Sequence, residues 1–143
     1  MYTEKLGKIT VIAKGAKKNS NKLFSSSLPF CFGEYLLFKG KNLYTLNEGR
    51  LINSLQGLLS DLEKLTDGSY LFELMDIAIV EEESNRMLFR EFVSSLYLLD
   101  TEVLDYELLT RSFELKLLKA TGYGLELNNC ALCRKSNSLA KYC

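Results

Sequence analysis

The spacing of apolar residues changes near residue 50. Upstream they come in short runs rich in β-branched and aromatic side chains; downstream, leucine recurs at steps of three and four. Steps of two line one face of a strand, and steps of three and four line one face of a helix. In KITVIAKGA, Ile9, Val11 and Ala13 alternate with Thr10 and Ile12, which predicts a strand. KGAKKNSNKLFSSS is polar, and Gly15, Asn19, Ser20 and Asn21 mark it as a loop. PFCFGEYLLFKG runs through Phe30, Phe32, Tyr35, Leu37 and Phe38, predicting a strand or bent strand pair with a bulge or bend at Gly33. After a turn at Lys39-Gly40-Lys41-Asn42, Leu43, Thr45 and Leu46 predict another short strand. Such strands within residues 1–50 point to a small barrel or partly open sheet.

Downstream, LINSLQGLLSDLEKL sets Leu51, Leu55, Leu58, Leu59, Leu62 and Leu65 on a helical stripe, with Asp67, Gly68 and Ser69 as punctuation. YLFELMDIAIVEE predicts a second, very apolar helix. Asn85 introduces a third, RMLFREFVSSLYLLD, with a stripe of Leu88, Phe92, Leu96 and Leu99. In DTEVLDYELLTRSFELKLLKATGYG, Leu104, Leu108, Arg111, Leu115 and Leu118 share one face, which Phe113 and Leu117 widen. Gly122 and Gly124 stop this last helix.

Charge reinforces the division. Residues 1–50 hold nine basic and three acidic side chains, residues 51–129 six basic and fifteen acidic, and residues 130–143 three basic and none acidic. The zero net charge hides a basic head on an acidic body. The 143 residues, 47% hydrophobic, suffice for one ordinary core or two small domains sharing an interface. The expected organisation is α+β: a basic β domain over 1–50, an acidic helical domain over 51–129 and a cysteine module over 130–143. No run of 18 apolar residues exists, and MYTEKLGK lacks the apolar segment of a secretory signal. A cytoplasmic location with no membrane association is expected.

A basic strand-and-loop head is compatible with nucleic acid. Lys5, Lys8, Lys14, Lys17, Lys18, Lys22, Lys39 and Lys41 are the candidates, since lysine is a mobile point charge suited to phosphate without base readout. Phe24, Phe30, Phe32, Tyr35 and Tyr44 either form the core of the sheet or supply stacking surfaces for bases. Arg111 interrupts an apolar stripe. It pairs with Glu107 or Glu114, snorkels to the surface, or holds a partner's carboxylate beside an apolar groove. Catalysis finds little support: histidine is absent, no GxxxxGK[ST] loop occurs, and Gly122-Tyr123-Gly124 is too short for a dinucleotide fingerprint. Glu81, Glu82 and Glu83 read as a solvated helix face, and the chain is not expected to be an enzyme.

Three of the four cysteines lie at the end, Cys130 and Cys133 in a CxxC and Cys143 after nine intervening residues. A redox pair ordinarily follows a strand and opens a helix, whereas a helix and a GYG turn precede this one. The readings left open are an incomplete zinc ribbon, a three-cysteine site completed by water or another chain, and unliganded thiols. Cys31, in FCF, reads as a buried thiol.

YTEKLGKITVIAKGAKK (2–18), LPFCFGEYLLFKGKNLYTL (28–46) and TRSFELKLLKATGYGLELNNCALC (110–133), in this order, resemble the bacterial RecO family of DNA repair and recombination mediators. The resemblance covers nearly the whole chain. It implies a partial OB-type β-barrel, then an α-helical domain and the start of a zinc module. It also implies non-enzymatic binding of single- and double-stranded DNA, strand annealing and recombinase loading. The implied partners are RecR, sometimes RecF, and the acidic tail of the single-strand-binding protein, and the implied location is cytoplasmic and nucleoid-associated. By motif match, Lys14, Lys17 and Lys18 fall in the basic loop near DNA, Arg111 in the tail-docking region, and Cys130, Cys133 and Cys143 at Zn2+ positions. Family members begin earlier and continue later, so the resemblance implies a chain truncated at both ends. The alternative is a protein-only scaffold or adaptor whose basic head meets an acidic partner; a metal-assisted hydrolase is a weaker third reading.

Overall fold

A computed structural model describes residues 1–14, 23–41, 43–101, 105–126, 129 and 134. Tyr2–Thr3 (β1) and Gly7–Lys8 (β2) form an antiparallel hairpin, with Tyr2 opposite Lys8. Val11–Ile12 (β3) runs parallel to Tyr44–Asn53 (β5), which pairs antiparallel with Phe32–Lys39 (β4). The described strands therefore make a two-stranded sheet and a three-stranded sheet of order β3-β5-β4, and do not close into one barrel. The strand expected in KITVIAKGA is cut short. Ile9 turns into the interior at 2% exposure, and its amide donates to the Met1 carbonyl rather than extending β3.

The bend expected at Gly33 is present: the β4–β5 register shifts between Phe32 and Gly33. A Cβ on Gly33 would lie 2.4 Å from the Arg50 carbonyl oxygen, so only glycine permits this approach. Leu23–Ser26 forms a short helix (α1) inside the stretch read as loop. β5 continues to Asn53, so Leu51 belongs to a strand and not to the first helix.

The helices are Gly57–Ser60 (α2), Leu62–Ala78 (α3), Arg86–Thr101 (α4) and Tyr106–Ala120 (α5). The break between the first two lies at Asp61, not at Asp67-Gly68-Ser69, because the Asp61 carboxylate accepts from the Glu63 and Lys64 amides and caps α3. Gly68 is a buried interior residue of α3, where Phe30, Leu58 and Leu99 crowd the space a side chain would need. α3 ends at Ala78, so Glu81, Glu82 and Glu83 form an exposed turn rather than a helix face. Asn85 caps α4 by accepting from the Leu88 amide at 3.0 Å, and Asp105 caps α5 through the Leu108 amide at 3.1 Å. Gly122, with φ of 89°, follows the end of α5 as its spacing predicted.

The α4 stripe is buried as read, with Leu88, Phe92, Leu96 and Leu99 all in the core. The α5 stripe is not. Thr110, Phe113 and Leu117 face inward, while Leu108 is 64% exposed and Leu115, Leu118 and Arg111 are also exposed. Leu104 lies outside the described residues. Tyr2 and Phe30 of the β head pack against the helical core. Tyr2 meets Phe89 and Phe92, Phe30 meets Phe72, and Phe92 meets Phe72 and Phe113, at centroid distances of 4.9–6.0 Å. Among the described residues, no helix is long and apolar enough to cross a membrane.

Candidate nucleic-acid interface

The structure divides the five described candidate lysines. Lys8 reaches across to α3: its ammonium donates to the Asp76 carbonyl at 2.7 Å and lies 3.3 Å from the Asp76 carboxylate. Its backbone is joined to the acidic turn, since the Glu82 amide donates to the Lys8 carbonyl at 2.9 Å and Lys8 bridges to Glu81. Lys8 is therefore a joint between head and body, with its ammonium already engaged by Asp76. Lys39 sits 5.5 Å from the Tyr44 ring centroid and 3.9 Å from the Glu82 carboxylate, so it is partly neutralised. Lys5, Lys14 and Lys41 are exposed and make no ion pair with any described residue. Lys17, Lys18 and Lys22 lie outside the described residues.

The expected stacking aromatics are largely committed to packing. Phe30 lies against Phe72, Phe32 against Phe89, and Tyr44 is 7% exposed. The Tyr35 hydroxyl donates to the Ser26 carbonyl at 3.0 Å, and Phe24 is half-buried. Phe38 is the aromatic of β4 that the sheet leaves uncovered, at 71% exposure. Sequence reading placed it only as a strand residue. The parity of β4, with Leu37 and Phe38 on opposite faces, was the available signal, but parity does not tell which face is covered. Cys31 is half-buried, and its thiol donates to the Ser25 carbonyl.

On the body, α3 and α5 enclose an open cleft of about 730 Å³ lined by Leu62, Tyr70, Tyr106, Asp67, Glu107 and Arg111 among others. Arg111 is paired on both sides, with Glu114 at 2.9 Å and Glu107 at 3.8 Å. The Tyr70 hydroxyl donates to the same Glu114 carboxylate and ties α3 to α5. That hydrogen bond is the largest influence on the Glu114 carboxyl; burial opposes it, the Arg111 guanidinium adds to it, and the carboxyl is held below its ordinary range. The resulting stabilisation is present above the ordinary carboxylate range and is lost as pH falls through the lowered value. Both groups are close to solvent, so screening keeps it small.

Among the described residues no group of three or more His, Cys, Asp or Glu is placed to hold a metal. Cys130, Cys133 and Cys143 lie outside the described residues.

Comparison with known proteins accounts for both halves. Residues 1–55 match the family model for the N-terminal part of recombination protein O, and residues 59–143 match the model for its C-terminal part. The chain is 58% identical over 142 residues to a protein of Clostridium perfringens (strain SM101 / Type A) named DNA repair protein RecO, covering 99% of this chain and 63% of that one. Proteins of the same name from Clostridium novyi (strain NT) and Alkaliphilus metalliredigens (strain QYMF) are 50% and 34% identical; 99% and 96% of this chain align, spanning 56% of each relative. The chain thus spans less than two thirds of the length of these relatives. With both family models matched in order along the sequence, the chain belongs to the recombination protein O (RecO) family.

Proposed function

We propose that this chain is a non-enzymatic, DNA-binding recombination mediator that promotes strand annealing and recombinase loading in recombinational repair. The observation that carries the reading is the segregation of charge: Lys5, Lys14 and Lys41 on the head are exposed and make no ion pair with a described residue, while carboxylates dominate the body. Lysines of this kind neutralise phosphates on two strands and lower their repulsion, leaving specificity to base pairing. Lys17, Lys18 and Lys22 would extend the same surface. The acidic body would turn the basic end toward single- or double-stranded DNA and leave its own surface to protein partners. We take the sheet as part of an OB-type barrel, and the setting as cytoplasmic and nucleoid-associated.

Replacing Lys5, Lys14 and Lys41 together by Ala is expected to weaken DNA binding about tenfold or more at physiological salt. The slope of log affinity against log salt should fall by roughly 2–3, at about 0.7–0.9 per phosphate contact. Lys8→Ala should leave that slope unchanged and instead cost about 1–2 kcal/mol of stability, because it removes a charged hydrogen bond between head and body. A salt titration that gives the same slope for the triple variant and the parent would remove the lysine surface. No DNA affinity in the parent would favour the scaffold reading.

The other family partners, RecR and RecF, are proposed on family membership alone. For the acidic tail of the single-strand-binding protein, Arg111 is the proposed contact. A tail carboxylate would have to displace Glu114, with Leu62, Tyr70 and Tyr106 receiving its apolar side chains. Arg111→Ala should weaken an acidic, aromatic-tailed peptide and leave DNA affinity unchanged; equal peptide affinity in both forms would remove the role. Cys130, Cys133 and Cys143 are the proposed Zn2+ ligands. They supply three thiolates where a closed structural site takes four donors, so a fourth is required. A zinc content near zero in the purified chain would end that assignment.

A further inference from the structure

We propose that the outer face of the β3-β5-β4 sheet is a stacking platform for unpaired nucleobases, with Phe38 as its aromatic ring. The inference rests on the DNA-binding reading above and gives it a specific base contact.

Cross-strand partners project to the same face of a sheet. Phe38 is paired with Thr45, and Thr45 is paired on its other side with Ile12. Ile12, Thr45 and Phe38 therefore form one row across all three strands, and Leu36 lies on the same face two residues from Phe38. This row faces away from the core: Ile12 is 43% exposed, Leu36 56% and Phe38 71%. The opposite face carries Tyr44 and Leu46, both buried. Phe38 makes no ring contact with any described aromatic residue, although the neighbouring aromatics of β4 and β5 are all engaged.

The chemistry around the row selects the occupant. Lys41 lies in the turn just beyond β4 and Lys14 stands two residues past Ile12, whereas Lys39 belongs to the opposite face, over the Tyr44 ring. Lys14 and Lys41 have no described acidic partner, so a polyanion is favoured where the apolar row ends. The carboxylates of this face lie further along the sheet, where Glu34 pairs with Arg50 at 3.8 Å and Glu48 stands opposite Leu36. An uncovered aromatic ring flanked by aliphatic side chains and lysines fits a nucleobase on a phosphate backbone. The strand must be single, because in a duplex the base faces are already stacked on one another.

The experiment uses the whole chain, which contains no tryptophan. Binding of oligo(dT) and of an abasic oligonucleotide of equal length is measured by fluorescence anisotropy for the parent, Phe38→Ala and Phe38→Trp. Phe38→Ala should lose about tenfold in affinity for oligo(dT), keep its affinity for the abasic strand, and keep the parent's salt slope. Phe38→Trp should retain oligo(dT) binding, and its lone indole should be quenched by oligo(dT) but not by the abasic strand. Equal affinities of parent and Phe38→Ala for oligo(dT), or equal losses on both strands, overturn the platform. If the parent binds both strands alike, the lysine surface stands and the stacking platform falls. If it binds neither, both fall. Loss of self-association in Phe38→Ala without loss of oligo(dT) affinity would make the face a contact between copies of the chain, and would also overturn the proposal.

Discussion

Phe113→Ala is expected to cost about 3–5 kcal/mol, the range for deleting a large aromatic from a closed core. Phe113 is fully buried on α5 and meets Phe92 at 5.9 Å. Phe92 in turn meets Phe72 of α3 and Tyr2 of the hairpin, so the ring sits where three helices and the β head converge. Well-packed neighbours collapse only partly into the space left behind, and the lost contacts are not recovered. Total stabilities of ordinary domains run to about 5–15 kcal/mol, so the variant should be near its unfolding threshold at room temperature. Urea denaturation followed by far-UV circular dichroism gives the size of the loss. Because Tyr2 joins the head to this cluster, tyrosine fluorescence should report the same midpoint as helix content. A loss below about 1 kcal/mol would contradict the central position of Phe113. Two separate midpoints would contradict the coupling of the head to this cluster through Tyr2.

Gly7→Ala should be the most damaging small substitution at the surface between head and body. Gly7 has φ of +69°, a conformation that costs an L-residue about 1–2 kcal/mol. A Cβ there would also lie 2.1 Å from the Glu83 carbonyl oxygen, and backbone cannot yield as a flexible side chain can. Relief requires the hairpin to lift from the acidic turn, which would break the amide bond from Glu82 to Lys8 and the reach of Lys8 to Asp76. A combined loss of at least about 2 kcal/mol follows, seen as a fall in melting temperature of several degrees for a chain of this size. A melting temperature equal to the parent's would show that the hairpin is not held by this contact.

These two sites differ in how well they can be read from sequence. The α4 stripe of Leu88, Phe92, Leu96 and Leu99 was legible because a single apolar face leaves one way to bury the helix. The bend at Gly33 was legible because a glycine inside a strand pattern has few other uses. On α5, leucines on both sides offered two valid stripes. The one containing Leu108, Leu115 and Leu118 lost to Thr110, Phe113 and Leu117, because α3 and α4 pack against the latter side. Gly68 looked like a stop signal, yet a residue without a side chain also suits a helix interior pressed closely by Phe30, Leu58 and Leu99.

The sequence by itself determined the change of period near residue 50, the basic head and acidic body, the α4 core stripe and the family. Each is a property of local spacing, residue counts or ordered motifs, and needs no knowledge of what lies across the fold. Only the tertiary structure decided which lysines remain available and which aromatic ring is bare. Lys8 meets Asp76 from 68 positions away, and Phe38 differs from its covered neighbours by lying on the face of the sheet opposite the buried Tyr44 and Leu46. Charge and strand parity are written along the chain; the partner that neutralises a charge or covers a face is set by long-range packing.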